Sequence, residues 1–278
     1  MKLEFPIGQD LGLKIASGLD RGSPFPTAKL QKGLVLLCAG QDLSEEAVGF
    51  GVPILKRGLL TIFPSEVDLY LHGGTLQTKV SARYKLNLEE RIVRNGNSSI
   101  KSKLIYAGKN GLAATIRRIP IMRKLLTNTS NLLRSRLAWQ TTYEPSDFST
   151  YMVLSYTIEE DNGMVLVELV GGDFLSSSIS EVVVMNELGA HHFDQYRDSN
   201  GIYLRGDEIS CWDPVEAEGA SFIDQNHKIS FKLGQVPGAR LYRGRELIEP
   251  RLAWSGFGYS FPPDKKGFKY GITFEKLP

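Results

Sequence analysis

Between residues 76 and 88, apolar and polar side chains alternate without a break. Leu76, Thr78, Val80, Ala82, Tyr84, Leu86 and Leu88 fall on one face. Gln77, Lys79, Ser81, Arg83, Lys85 and Asn87 fall on the other. Period two marks a strand with one face on a core and one in water. At about 3.3 Å per residue such a strand runs roughly 43 Å, longer than most. It implies a large sandwich or barrel in which the strand bends.

The rest of the chain agrees with this reading. Asn-Gly occurs at Asn95-Gly96, Asn110-Gly111, Asn162-Gly163 and Asn200-Gly201. Both residues tolerate the positive φ that type I′ hairpin turns require. The clearest hairpin surrounds Asp161-Asn162-Gly163. Met152, Leu154, Tyr156 and Ile158 alternate before it, and MVLVELV follows. Further strands are predicted over 33–39, 58–63, 66–72, 101–107, 138–143, 180–186, 202–205, 227–233, 239–243, 251–255 and 268–275. Short strands with frequent turns predict an all-β protein, a large antiparallel β-sandwich or barrel-like fold. A chain of 278 residues is long for one domain but fits one large β domain over 1–278. An alternative division places a β lobe at 1–110, a helical connector at 111–137 and a second lobe at 138–278.

The helical exception is 112–137. Leu112, Ile116, Ile119, Met122, Leu126, Leu133 and Leu137 recur at three- and four-residue spacings, interrupted by Pro120 and Thr127-Asn128-Thr129-Ser130. This segment lies in a strongly cationic stretch. From Arg91 to Tyr143 there are eleven Lys or Arg and no acid, whereas from Glu144 to Tyr196 there are ten acids and no Lys or Arg. The net charge of +2 conceals both blocks. Arg117, Arg118, Arg123 and Lys124 beside an apolar stripe suit an anionic membrane surface or polyanion. The stripe equally suits a core, with the arginines solvated or paired to the acidic block. Nucleic acid is not an expected partner, because the pI of about 8.4 is below the usual footprint and the acidic block repels phosphate.

The first fifteen residues hold no continuous apolar run, so a signal peptide is not expected. Two cysteines, Cys38 and Cys211, make no disulfide framework. Together these predict a reducing, cytoplasmic setting.

Two further constellations carry chemistry. Residues 186–198, NELGAHHFDQYRD, gather proton-transfer groups. His191, His192 and Tyr196 are candidate catalytic acids or bases, and Arg197 a candidate neutraliser of a substrate carboxylate. Adjacent residues of a strand point to opposite faces, so His191 and His192 would not share one metal. No HxH, HExxH or paired CxxC occurs, so neither metal nor cofactor is expected. The C-terminal third concentrates aromatic rings with arginine: Arg205, Trp212, Tyr242, Arg243, Arg245, Glu246 and Trp254. Sugars present apolar C–H faces ringed by hydroxyls, which aromatic planes and charged hydrogen-bonding groups match. Such residues also build ordinary β cores.

The sequence therefore supports a carbohydrate-binding or carbohydrate-active β-sandwich that handles a sugar or acidic glycan. The alternative is a lipocalin-like binder of an apolar small molecule that docks peripherally on anionic membranes through its basic segment. Nothing in the sequence sets the oligomeric state.

Overall fold

The structure, a computed structural model, describes residues 1–8, 10–17, 31–45, 47–57, 60–72, 78–93, 141–174, 178–248 and 252–278. The predicted helical segment 112–137, with Arg117, Arg118, Arg123 and Lys124, lies outside the described residues, as does the predicted strand 101–107. Residues 1–88 and 147–278 make one compact unit and 89–146 a second. In the second, the described residues are the end of one strand, 89–93, and the start of another, 141–146.

The fold is an all-β sandwich of antiparallel sheets. Strands are numbered in chain order. A four-stranded sheet runs β1 (Lys2–Pro6), β2 (Leu11–Ala16), β3 (Val35–Cys38) and β4 (Gln41–Asp42). A six-stranded sheet runs β14 (Asp213–Pro214), β17 (Arg240–Ile248), β18 (Leu252–Phe261), β11 (Glu181–Leu188), β5 (Gly49–Arg57) and β6 (Leu60–Ile62). A nine-stranded sheet begins with β13 (Tyr203–Arg205), β12 (Gln195–Asp198), β15 (Gly219–Asp224), β16 (Ile229–Gly234) and β19 (Lys269–Lys276). It continues through β10 (Met164–Gly172), β9 (Thr141–Glu159), β8 (Thr78–Val93) and β7 (Pro64–His72). Among the described residues no helix is long and apolar enough to cross a membrane.

The alternation read from sequence does what its period requires. Along β8, Val80, Ala82, Tyr84 and Leu86 are buried while Lys79, Arg83 and Lys85 are exposed. The inner faces of the two larger sheets meet through rings. Phe50 of β5 meets Phe231 of β16 edge-on at 5.1 Å, and Phe257 of β18 meets Phe222 of β15 at 4.9 Å. Such pairs add about 0.5–1.5 kcal/mol each beyond the area they bury.

A polar network also crosses this core. Tyr156 Oη donates to the Gly51 carbonyl (2.8 Å) and accepts from Tyr84 Oη (2.7 Å). Asn186 Oδ1 accepts from Tyr270 Oη (2.8 Å) and from the Gly51 amide (3.2 Å). Burial pushes all three phenols up, so they remain neutral donors. Gly51 sits at φ +71°, inside a break in the β5–β11 register, and a Cβ there would lie 2.5 Å from the Tyr156 ring. Only glycine meets both conditions.

The two Asn-Gly turns among the described residues differ from the two-residue turns expected; Asn95-Gly96 and Asn110-Gly111 lie outside the described residues. Between β9 and β10 a 3-10 turn, Glu160–Asn162, precedes Gly163, which alone of the pair adopts positive φ (57°). At Asn200-Gly201 the Asp198 carboxylate accepts the amides of Asn200 and Ile202, and again the glycine alone is left-handed. Side-chain and 3-10 hydrogen bonds supply the turn that type I′ geometry would otherwise make.

Candidate functional site

Strand β17 divides the C-terminal aromatic and arginine cluster between two faces. Leu241, Arg243 and Arg245 alternate with Tyr242, Gly244 and Glu246. Leu241 is in the core, and the Arg243 guanidinium lies 4.5 Å from the centroid of the buried Tyr196 ring. Arg245 donates to the Ala190 carbonyl (3.2 Å). The opposite, outer face carries Tyr242, Gly244 and Glu246 across from Gly258, Gly256 and Trp254 of β18. Met185 and Glu187 of β11 continue the same rows.

Glycines make this outer face flat enough to seat two indoles. Trp212 and Trp254 stack with centroids 5.1 Å apart and planes at 26°. A Cβ at Gly244 would lie 2.7 Å from the Trp254 ring, and one at Gly258 would lie 2.7 Å from the Trp212 ring. Trp254 is buried, whereas Trp212 is half-buried and packs on Val48, Val52, Ile54, Val183 and Met185. Trp212 also holds φ at +60°, a conformation that costs a non-glycine residue about 1–3 kcal/mol and is typical of functional sites.

Beside the indoles stands Glu187, 5% exposed. Burial pushes its carboxyl up to about 8, the charge of Glu246 adds to the rise, and a backbone hydrogen bond from Val48 opposes it. Near neutral pH Glu187 is a protonated acid.

A second constellation gathers three of the four histidines with two acids. Asp224, fully buried at the end of β15, accepts from the amides of Asn226 (2.8 Å) and His227 (3.1 Å) on one carboxylate oxygen. His227 Nδ1 lies 2.6 Å from the other oxygen, and His192 Nδ1 lies 3.7 Å from it. Glu45, at φ +48° in the turn before β5, reaches His191 Nδ1 at 2.9 Å and His192 Nε2 at 3.5 Å. A Cβ at Gly189 would lie 2.5 Å from the Glu45 carboxyl carbon, so glycine there admits the acid. His192, Asp224 and His227 each offer one ligand atom within 4.8 Å of the others, a set able to hold a metal.

No family model matches the chain, and no curated protein matches its sequence. Among solved structures it is similar to the alpha-N-acetylgalactosaminidase NagBb from Bifidobacterium bifidum. The match is at TM-score 0.49 and 10% identity in the Gal-NHAc-DNJ complex, and 0.48 and 9% in the ligand-free form. Each alignment covers 98% of this chain and 35% of that one, so this chain spans about a third of NagBb. HI1317 matches at TM-score 0.35 and 7% identity, over 99% of this chain and all of its own. Likeness at this level carries no functional implication.

The residues singled out from sequence thus fall in several places. Trp212, Tyr242, Glu246 and Trp254 share the outer face, and His191 and His192 share Glu45. Tyr196 lies in the inter-sheet core, donating to Asp198 (2.9 Å), and burial pushes its phenol up to about 12. Arg197 is exposed on β12, and exposed Arg205 lies over the Tyr203 ring at 5.0 Å. Glu45, Asp224 and His227 were not among those candidates, and Glu187 stood only as a member of the 186–198 run, with no role of its own. Glu187 carried a signal, an acid inside the apolar run EVVVMNEL. Glu45 lies 146 residues from His191, a pairing that no local pattern announces.

Proposed function

We propose that the protein is a carbohydrate-active β-sandwich that binds a neutral sugar on the outer face of β17, β18 and β11. The observation that carries this reading is the Trp212–Trp254 stack, seated on a glycine strip beside an acid held protonated near neutral pH. Trp212 offers an apolar plane to a sugar's C–H face, and Tyr242 and Glu246 offer hydrogen bonds to its hydroxyls. The arginines that would have favoured an acidic glycan, Arg243 and Arg245, belong to the opposite face of β17. A uronic acid would meet the Glu246 carboxylate and be repelled. Glu187 as acid and Glu246 as base suit an isomerisation, in which one proton is taken and one returned with no net change of charge.

A thermal-shift screen against neutral, amino and uronic sugars tests the reading. Stabilisation by a neutral sugar, absent with the matching uronic acid, is expected. Preference for uronic acids would contradict the choice of substrate, and no response to any sugar would contradict the function.

A further inference from the structure

The geometry points to a divalent transition-metal site formed by His192, Asp224 and His227, independent of the proposed sugar site. Three features of the cluster fit an ion of the zinc class. The first is spacing. The two Nδ1 atoms lie 3.7 and 2.6 Å from the same Asp224 oxygen, and the ligand atoms of all three residues lie within 4.8 Å of one another. Ligands at about 2.0–2.2 Å from a common tetrahedral ion are separated by roughly 3.3–3.6 Å. The His192–Asp224 distance matches this, whereas the 2.6 Å His227–Asp224 contact is a hydrogen bond that widens to admit the ion. The second is orientation. Asp224 uses its other oxygen to accept two backbone amides, which leaves the first aimed at both histidines. His192 is steered from its far side, where Nε2 faces Glu45 at 3.5 Å. Outer carboxylates and amides that fix ligand rotamers are the usual surroundings of a bound ion.

The third feature is charge. Asp224 is fully buried, and a buried carboxylate is kept charged by hydrogen bonds and a nearby cation, of which the two amides supply the first. A divalent ion supplies the second while both imidazoles stay neutral ligands. Two imidazoles and one carboxylate select zinc, or iron of the same charge, over magnesium or calcium. The site ties the 189–193 turn to the turn between β15 and β16, and three protein ligands leave coordination positions for water or a substrate oxygen.

Equilibrium dialysis of the chelator-stripped full chain against Zn²⁺ tests this. One ion per chain is expected. His192→Gln and His227→Gln should each weaken binding at least about tenfold. His72→Gln, a change to the exposed fourth histidine on β7, should leave binding within about twofold. Long-range nitrogen spectra of the wild-type imidazoles give a readout that needs no variant. Two of the four rings should move to metal-bound values on adding one equivalent. An absence of stoichiometric uptake, uptake indifferent to both His192 and His227, or imidazole spectra unchanged by Zn²⁺ would each overturn the site and leave an ordinary carboxylate–histidine ion pair.

Discussion

At the scale of single residues, Glu187 makes the sharpest prediction. Its carboxyl is raised from the ordinary 4.5 to about 8, so between those values the folded chain holds a proton that the unfolded chain has lost. Stability tied to this group is therefore complete below pH 4.5, falls as pH rises toward 8, and changes no further above it. The loss is at most about 5 kcal/mol. Glu187→Gln, which keeps the shape without the ionisation, should flatten the decline of melting temperature between pH 5 and 8. An unchanged slope would contradict the assignment. In the core, Tyr156→Phe removes the donor to the Gly51 carbonyl and should cost about 1–3 kcal/mol in denaturant unfolding. Gly51→Ala should cost more, because it adds a clash with the Tyr156 ring to backbone strain at φ +71°.

At the scale of elements, the glycine strip across β17 and β18 is the support of the indole pair. Gly258→Ala would drive a methyl into Trp212, so near-ultraviolet circular dichroism of the stack should weaken while the far-ultraviolet β signal stays. A retained tryptophan signal would mean that the indoles do not rest on this strip. Strand periodicity also explains what the sequence disclosed. β8 was legible because one face meets the core and the other meets water. β5 was not, because residues 49–55 are buried on both faces and its GFGVPIL carries no alternation. β1, β2 and β15 were missed, although β2 alternates buried Leu11, Leu13 and Ile15 with half-buried neighbours. The outer-face cluster was half legible. The predicted strand 239–243 stops short, whereas β17 runs to Ile248, and only the full strand separates Tyr242 and Glu246 from Arg243 and Arg245. The histidine cluster was not legible, because Glu45, His192 and Asp224 meet only once three distant loops and strand ends are in place.

At the scale of the whole molecule, the sandwich separates two kinds of chemistry by face. The inner faces hold stacked rings and neutral phenols that bond one another, together with Arg243 over the Tyr196 ring. The outer face of the six-stranded sheet carries what the core does not use: a half-buried indole in a left-handed conformation, an acid protonated near neutral pH and a second acid beside it. That division is the ground for placing a sugar there. The most direct measurement is a calorimetric titration of wild type and Trp212→Ala with the best neutral sugar of a screen. Wild type should bind one sugar per chain, and the variant should bind at least about tenfold more weakly with its fold intact. Equal affinity in the two proteins would show that the sugar does not rest on this face.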